Sequence, residues 1–320
     1  MTTHLYTPTL RLTGPYAATI GFFDGLHQGH AHLLRQLQSI AADRHLQTLI
    51  VTFDRHPRQT LQPDFRPQLL TTLDEKQQLL AQAGIDVLVV LPFDADLARL
   101  SAHDFMSQVL CDHLGVTTLL TGYDNRFGAR TAQNPDIAPF VDYQSYGATI
   151  GIDVLLAEPF YLGGDTVSSS RIRRLLADGL VADAAQCLGH PYTLSGIVVH
   201  GEQIGRTLGF PTANIQPDDP LKLIPKSGVY AVTILPSPLT THHSPSLMNI
   251  GTRPTFDGHA LTLEAHLLDF TGDLYGQHLQ VTFIERLRDE QSFPSSEALT
   301  RQMHLDADAA RRIFTTTPIS

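Results

Sequence analysis

Five short apolar runs in the first half of the chain alternate with segments of helical period, and this alternation restricts the fold more than any other feature. Residues 17–22, 48–53 (TLIVTF), 86–91 (DVLVVL), 117–121 and 150–156 read as buried strands. Between them, apolar residues recur at Ala31, Leu34, Leu37, Ile40 and Ala41, and helical patterns cover 73–83 and 105–114, closed by Gly84 and Gly115. Strand–helix alternation predicts a parallel α/β sheet with right-handed crossovers. Ligands of such sheets lie at the carboxyl ends of the strands.

The pattern changes after a short helix predicted over 171–179. Short strands at 192–200, 228–234, 246–250, 261–269 and 280–286 are separated by Gly, Pro and Asp-rich loops, which suggests an antiparallel barrel or sandwich. The stretch 236–245 reads as a surface loop, and 295–314 as a helix capped by Ser295 or Ser296. A chain of 320 residues accommodates two domains, predicted at 1–187 and 188–320.

Charge and cysteine content narrow the function classes. Net charge is −10, with 13 Lys+Arg against 19 Asp+Glu before residue 188 and 9 against 13 after it. Neither part has the basic balance of a general nucleic-acid binder. Cys111 and Cys187 are too few for a disulfide framework, and the N-terminus lacks an export signal, so a reduced cytoplasmic setting is expected. No apolar run reaches the ~18–20 residues of a membrane span. Only Lys76, Lys222 and Lys226 are lysines, and no Walker-type P-loop exists. Phosphate chemistry must then rest on arginine, histidine and backbone N–H groups.

Two segments of the first half suit that chemistry. Gly21-Phe-Phe-Asp-Gly-Leu-His-Gln-Gly-His30 joins the first strand to the first helix. Its glycines allow close backbone approach, the helix start offers free N–H groups, and His27 and His30 can both face a triphosphate as charge develops on the α-phosphate. A bare His-x-Gly-His equally fits a surface pair or two metal ligands, although no third ligand stands at a zinc spacing. Val167-Ser-Ser-Ser-Arg-Ile-Arg173 opens a helix, where serine caps the first turn and Arg171 or Arg173 adds charge. His56, before Pro57 at a strand end, fits either a ligand-facing position or a structural turn.

The chain resembles the bacterial bifunctional riboflavin kinase/FMN adenylyltransferases (FAD synthetases) over roughly residues 15–315. The resemblance rests on GFFDGLHQGH (21–30), TFDRHP (52–57), GYDNRFG (122–128), VSSSRIR (167–173), GRTLGFPTANI (205–215), GVYAV (228–232), NIGTRPTF (249–256), EAHLLDF (264–270) and LYGQHLQVTFIERLR (274–288). It implies a Rossmann-like nucleotidylyltransferase domain followed by a six-stranded antiparallel flavokinase barrel with a terminal helix. It also implies two Mg²⁺-dependent reactions: riboflavin and ATP give FMN and ADP, then FMN and a second ATP give FAD and pyrophosphate.

On the same resemblance, Gly21, Phe23, Asp24, His27, Gly29, His30, Ser168, Ser169, Arg171 and Arg173 bind the adenylyltransferase's ATP, with His27 and His30 catalytic. His56, Asp124 and Asn125 are its flavin contacts, although Asn125 stands where an aromatic is usual. In the kinase half, Gly205, Gly209, Phe210, Thr212 and Asn214 bind ATP. Thr212 and Asn214 also bind Mg²⁺, their neutral oxygens being suitable hard ligands. The segment 210–214 reads as an irregular turn. Glu264 matches the kinase's catalytic base. It shares one face of its strand with Thr262 and His266, while Leu261, Leu263, Ala265 and Leu267 take the other. Without the resemblance Glu264 would read as a solvated outer-face glutamate.

Three other readings compete: an enzyme with only one working half, an ATP-dependent ligase akin to class I aminoacyl-tRNA synthetases, and a non-enzymatic flavin sensor. The acidic balance and the absence of a lysine-rich loop oppose a tRNA partner. A sensor would be expected to lose Glu264, Thr212 or His30, and all three are present.

Overall fold

The computed structural model describes residues 1–123, 126–129, 140–200, 210–235, 244–255, 258–268, 270 and 272–316. The expected site residues Asp124, Asn125, Gly205 and Gly209, and most of the expected loop 236–245, lie outside these. The chain divides into two compact units, Met1–Ser168 and Ser169–Ser320.

The first unit holds a six-stranded parallel sheet in the order β1-β4-β3-β2-β5-β6. Its strands are β1 (Thr2–Leu5), β2 (Tyr16–Ile20), β3 (Gln47–Phe53), β4 (Val87–Leu91), β5 (Val116–Thr121) and β6 (Asp153–Leu156). Alternate residues feed separate cores. Ala18, Ile20, Leu49, Val51 and Val89 pack with Met106, Leu110 and Tyr143. Ala17, Ile50, Leu88 and Val90 pack with Leu33, Leu34 and Leu37 of α1 (Gln28–Asp43) and Leu80. This two-sided burial is why the strands read as continuous apolar runs. The edge strand β1 escapes prediction because TTHL has no apolar pattern and is largely exposed.

The unit's other helices are α2 (Pro57–Leu61), α3 (Leu73–Gln82), α4 (Ala102–Asp104), which runs into a π-wound helix at Phe105–His113, and α5 (Phe140–Ile150). The strand expected at 150–156 is shorter, because α5 takes residue 150 and Gly151 turns the chain with φ 79°. A hairpin of β7 (Tyr161–Leu162) and β8 (Asp165–Thr166) follows. Successive strands run outward from β2 to β3 and β4, then return to β2's other side as β5. The carboxyl end of β2 is therefore a topological switch point, where ligand crevices form.

The second unit opens with α6 (Ser169–Ala177) and α7 (Val181–Leu188), which pack on each other, α7 also against the strands that follow. Its closed antiparallel barrel has the order β10-β13-β12-β11-β14-β9. The strands are β9 (Tyr192–Val199), β10 (Ala213–Pro217), β11 (Gly228–Leu235), β12 (Ser244–Thr255), β13 (Gly258–Leu267) and β14 (His278–Arg288). The turn expected at 210–214 is corrected in part: 210–212 is irregular, but β10 begins at Ala213 and supplies the sixth strand. Its backbone pairs with both β9 and β13, which overrides the weak strand signal of ANIQP. The terminal helix α8 (Ser296–Thr316) is capped as expected, with the Ser295 hydroxyl accepting from Ala298 N at 3.3 Å. Ala307 and Ala310 pack on Val229, Ala231 and Leu247 of the barrel.

Candidate active sites

The turn after β2 is held in an unusual backbone. Phe23 and Leu26 have φ of 51° and 37°, and Gly25 has 81°. Non-glycine residues at positive φ are strained and persist only where surroundings impose them. Asp24 imposes this shape. Buried, it accepts hydrogen bonds from the backbone N–H groups of Leu70 (2.9 Å) and Thr71 (3.0 Å), while the Thr71 hydroxyl accepts from Gly25 N at 3.0 Å. The expected ATP ligand Asp24 is thus committed to holding the loop.

The turn delivers His27 as the N-cap of α1. Its Nδ1 accepts from His30 N at 3.3 Å, and the two imidazoles stack with centroids 3.7 Å apart. Gly29 packs closely beside them: a Cβ there would lie 3.2 Å from the His27 ring, tighter than ordinary contact, and 3.5 Å from the Val167 carbonyl. That proximity also brings the segment ending at Ser168 to the start of α1. Phe23 closes the other side, edge-on to His30 at 5.2 Å, and Gly21 leaves room for the Phe23 ring. Burial, reinforced by the nearby His27 and Lys76, holds the His30 imidazole well below its ordinary value. Its Nδ1 is buried with no hydrogen-bond partner among the described residues.

Sequence reasoning overlooked Lys76. It lies on α3, 2% exposed, with Nζ 4.0 Å from the Phe22 ring centroid. His56 meets the same ring at 5.0 Å. His56 also caps α2: its Nδ1 accepts from Arg58 N at 3.1 Å, and its backbone N–H donates to Gln59 Oε1 at 3.0 Å. Ser169, Arg171 and Arg173 belong to the second unit, on the first turns of α6, where Arg171 and Arg173 are half-buried.

In the barrel unit, Asn214, Glu264 and Asn249 stand in register on adjacent strands β10, β13 and β12. Along β13, Leu263, Ala265 and Leu267 are buried on one side, with Thr262, Glu264 and His266 on the other, as expected. The outer side is not open solvent, however, because α8 roofs it. A cavity of about 320 Å³ is lined by Thr212, Asn249, Glu264, His266, Glu290 and Met303, among others. A second cavity of about 340 Å³ lies against Val198, Pro211, Thr212, Asp273 and Tyr275. Thr212 belongs to both walls.

Phe210 is buried against His266 and against His304 of α8, each ring 4.9 Å away, and His266 Nδ1 lies 2.8 Å from the Pro211 carbonyl. The roof is fastened by Arg288 at the end of β14, whose Nε and terminal nitrogen bind Asp306 of α8 at 2.8–3.1 Å. Gln302 donates to the same carboxylate at 2.9 Å. Asn249 and Glu290 were not singled out from the sequence. Asn249 lies within the quoted NIGTRPTF segment, so its strand register with Glu264 was the available signal.

Among the described residues no helix is long and apolar enough to cross a membrane. A solved structure from Streptococcus pneumoniae, titled as a macrolide-efflux protein, superposes with a TM-score of 0.87 at 28% identity, over 97% of this chain and 98% of that one. The FAD synthetase family model matches residues 11–171, and the riboflavin kinase (flavokinase) model matches 188–314. Bifunctional riboflavin kinase/FMN adenylyltransferases from Escherichia coli K12 and Pseudomonas fluorescens are 42% and 37% identical to this chain, covering 92% of it and 92% of each relative. That from Listeria monocytogenes is 35% identical over 92% of this chain and 91% of its own. With both family models matched in order and relatives of this identity spanning nearly the whole length, the chain belongs to the bifunctional riboflavin kinase/FMN adenylyltransferase family.

Proposed function

We propose that the barrel unit phosphorylates riboflavin with ATP, giving FMN and ADP, and that the sheet unit adenylylates FMN with a second ATP, giving FAD and pyrophosphate. The observation that carries this reading is the pair of cavities sharing the Thr212 wall, with Glu264 in one of them. A phosphoryl transferase needs a donor and an acceptor pocket that meet at the transferred group. Glu264 is suited to take the proton of the attacking ribityl hydroxyl. ATP would occupy the neighbouring cavity, with its phosphates toward Thr212 and the flanking Phe210 and Asn214 of the same segment.

Thr212 and Asn214 would hold Mg²⁺, which supplies charge neutralisation to the phosphates when bound. Their neutral hydroxyl and amide oxygens suit a hard cation that arrives with a nucleotide rather than one held permanently. In the sheet unit, His27 and His30 face the α-phosphate and the N–H groups opening α1 face its oxygens; the family resemblance assigns Ser168, Ser169, Arg171 and Arg173 to the outer phosphates. His56 contacts the flavin through the side of its ring not used in capping. The two activities divide between domains 1–187 and 188–320. The free thiols of Cys111 and Cys187 suit a reducing, cytoplasmic setting.

The test is direct. Purified protein incubated with riboflavin, ATP and Mg²⁺, with flavins separated by chromatography, should yield FMN first and then FAD. FMN without FAD would leave only the kinase half of the reading standing, and neither product would remove it altogether.

A further inference from the structure

Lys76 is one of three lysines in the chain, and it is buried on α3 against the strained turn that carries His27 and His30. Met in its place would fill the same volume without a charge, so packing alone does not account for an ammonium at this point. The groups around it come from every neighbouring element. Phe22 and Asp24 lie on the turn, the first beneath Nζ and the second attracting it. His30 of α1 is pushed toward its neutral form by burial first, then by His27 and by Lys76. His56 covers the other side of Phe22. Glu75, beside Lys76 on α3, accepts from Thr72 N at 2.9 Å in the cap of that helix. No carboxylate lies within 4 Å of Nζ among the described ion pairs, so the cation is offset only by a ring face and by Asp24, which is already committed to Leu70 and Thr71.

We infer that Lys76 is a positioning residue for adenylyl transfer, a buried cation that acts through Phe22, Asp24 and His30 to hold the phosphate-facing turn in place for an incoming triphosphate. This rests on the adenylyltransferase reading above. A triphosphate at the start of α1 would supply the negative charge that the site lacks. Burial lowers the Lys76 pKa to about 8 despite Asp24, so in the free protein the cation is lost as pH rises through that value. The pH dependence of kcat/KM for ATP reports groups of the free enzyme.

The experiment compares wild type with Lys76→Met and Lys76→Arg, in the full chain, from pH 6 to 10. In the wild type, kcat/KM for ATP in FAD formation should fall above about pH 8. Lys76→Met should lower it about tenfold or more at pH 7 and abolish that alkaline limb. Lys76→Arg should restore most activity and carry the limb beyond pH 9. Riboflavin phosphorylation by the same preparations should be unchanged, showing that the chain is intact. Independently, the imidazole resonances of His30 should titrate at higher pH in Lys76→Met, since one repulsive charge has gone. A Met variant with the wild-type pH profile, or an unmoved His30 titration, overturns the proposal. Failure of the wild type to make any FAD would instead remove the adenylyltransferase reading, and the His30 titration would still report on Lys76.

Discussion

At the scale of single residues, the proposed roles of Glu264 and His30 can be tested separately, because the side chains proposed for the two sites do not overlap. Glu264→Gln keeps the shape and a hydrogen-bond acceptor but cannot take the hydroxyl proton. Its kcat for riboflavin phosphorylation should fall by about 10²-fold or more, with substrate binding and FMN adenylylation nearly unchanged. Activity within about threefold of wild type would reduce Glu264 to a strand-face glutamate. His30→Ala should lower FAD formation by ~10²–10³ while FMN formation continues; unimpaired FAD synthesis in that variant would sink the assignment. Lys76 also carries a stability signature. Its folded pKa lies below the ordinary lysine value, so the unfolded chain binds more protons between about pH 8 and 10.5, and stability attributable to this group rises with pH across that window. Lys76→Met should therefore be more stable than wild type at pH 7, by up to about 3 kcal/mol. The gap should close as pH rises to 10.5 in urea denaturation, and a gap independent of pH would mean that burial does not depress the lysine's pKa. The His-x-Gly-His pair was legible in the sequence because its spacing and its place after a strand are local facts. Lys76 was not, because its meaning arises only when α3 folds back across more than 50 residues to meet Phe22 and Asp24.

At the scale of elements, prediction worked where one periodicity dominated and failed where tertiary pairing decided. The parallel strands β2 to β5 were visible as apolar runs buried on both faces. β1 and β10 were not, since each is polar or Pro-containing and owes its conformation to neighbouring strands. The alternation along β13 placed Glu264 on the correct face, but only α8 turns that face into a cavity wall. The Arg288–Asp306 pair fastens that helix, with side chains 16% and 6% exposed. Truncating one partner leaves a buried charge uncompensated, at a cost of about 3–5 kcal/mol. Asp306→Ala should lower stability by about that amount and raise KM for riboflavin more than it lowers kcat. It should also expose α8 to limited proteolysis, and unchanged protease resistance would show that apolar packing alone secures the helix.

At the scale of the whole molecule, the chain's organisation was visible as a change of pattern, and the helices between the two patterns are the informative part. The compact units divide after Ser168, whereas the flavokinase match begins at 188, so α6 and α7 travel with the barrel without belonging to its family core. They bury Ile172, Leu176, Val181, Ala184 and Cys187, and Lys226 N donates to the Leu176 carbonyl at 3.0 Å. A fragment covering 188–320 should fold and phosphorylate riboflavin without making FAD. One covering 169–320 should do the same at a higher melting temperature, because it retains those contacts. A folded but inert 188–320 fragment would show that the barrel does not contain a full kinase site, and equal melting temperatures would show that α6 and α7 lend it nothing.

The closure of that barrel also sets a timescale. Its seam joins β9 to β14, with Leu194 opposite Val281, so the strand formed first along the chain must wait for nearly the last. The entropy of closing so long a loop is lost before the pairing returns any energy, which places barrels among the slower folders, in milliseconds to seconds. Until the seam forms, β9 and β14 each present an open edge of backbone N–H and C=O groups to other chains. Refolding yield of the barrel should therefore fall with protein concentration, while the native state, having no edge left to offer, is spared the same hazard.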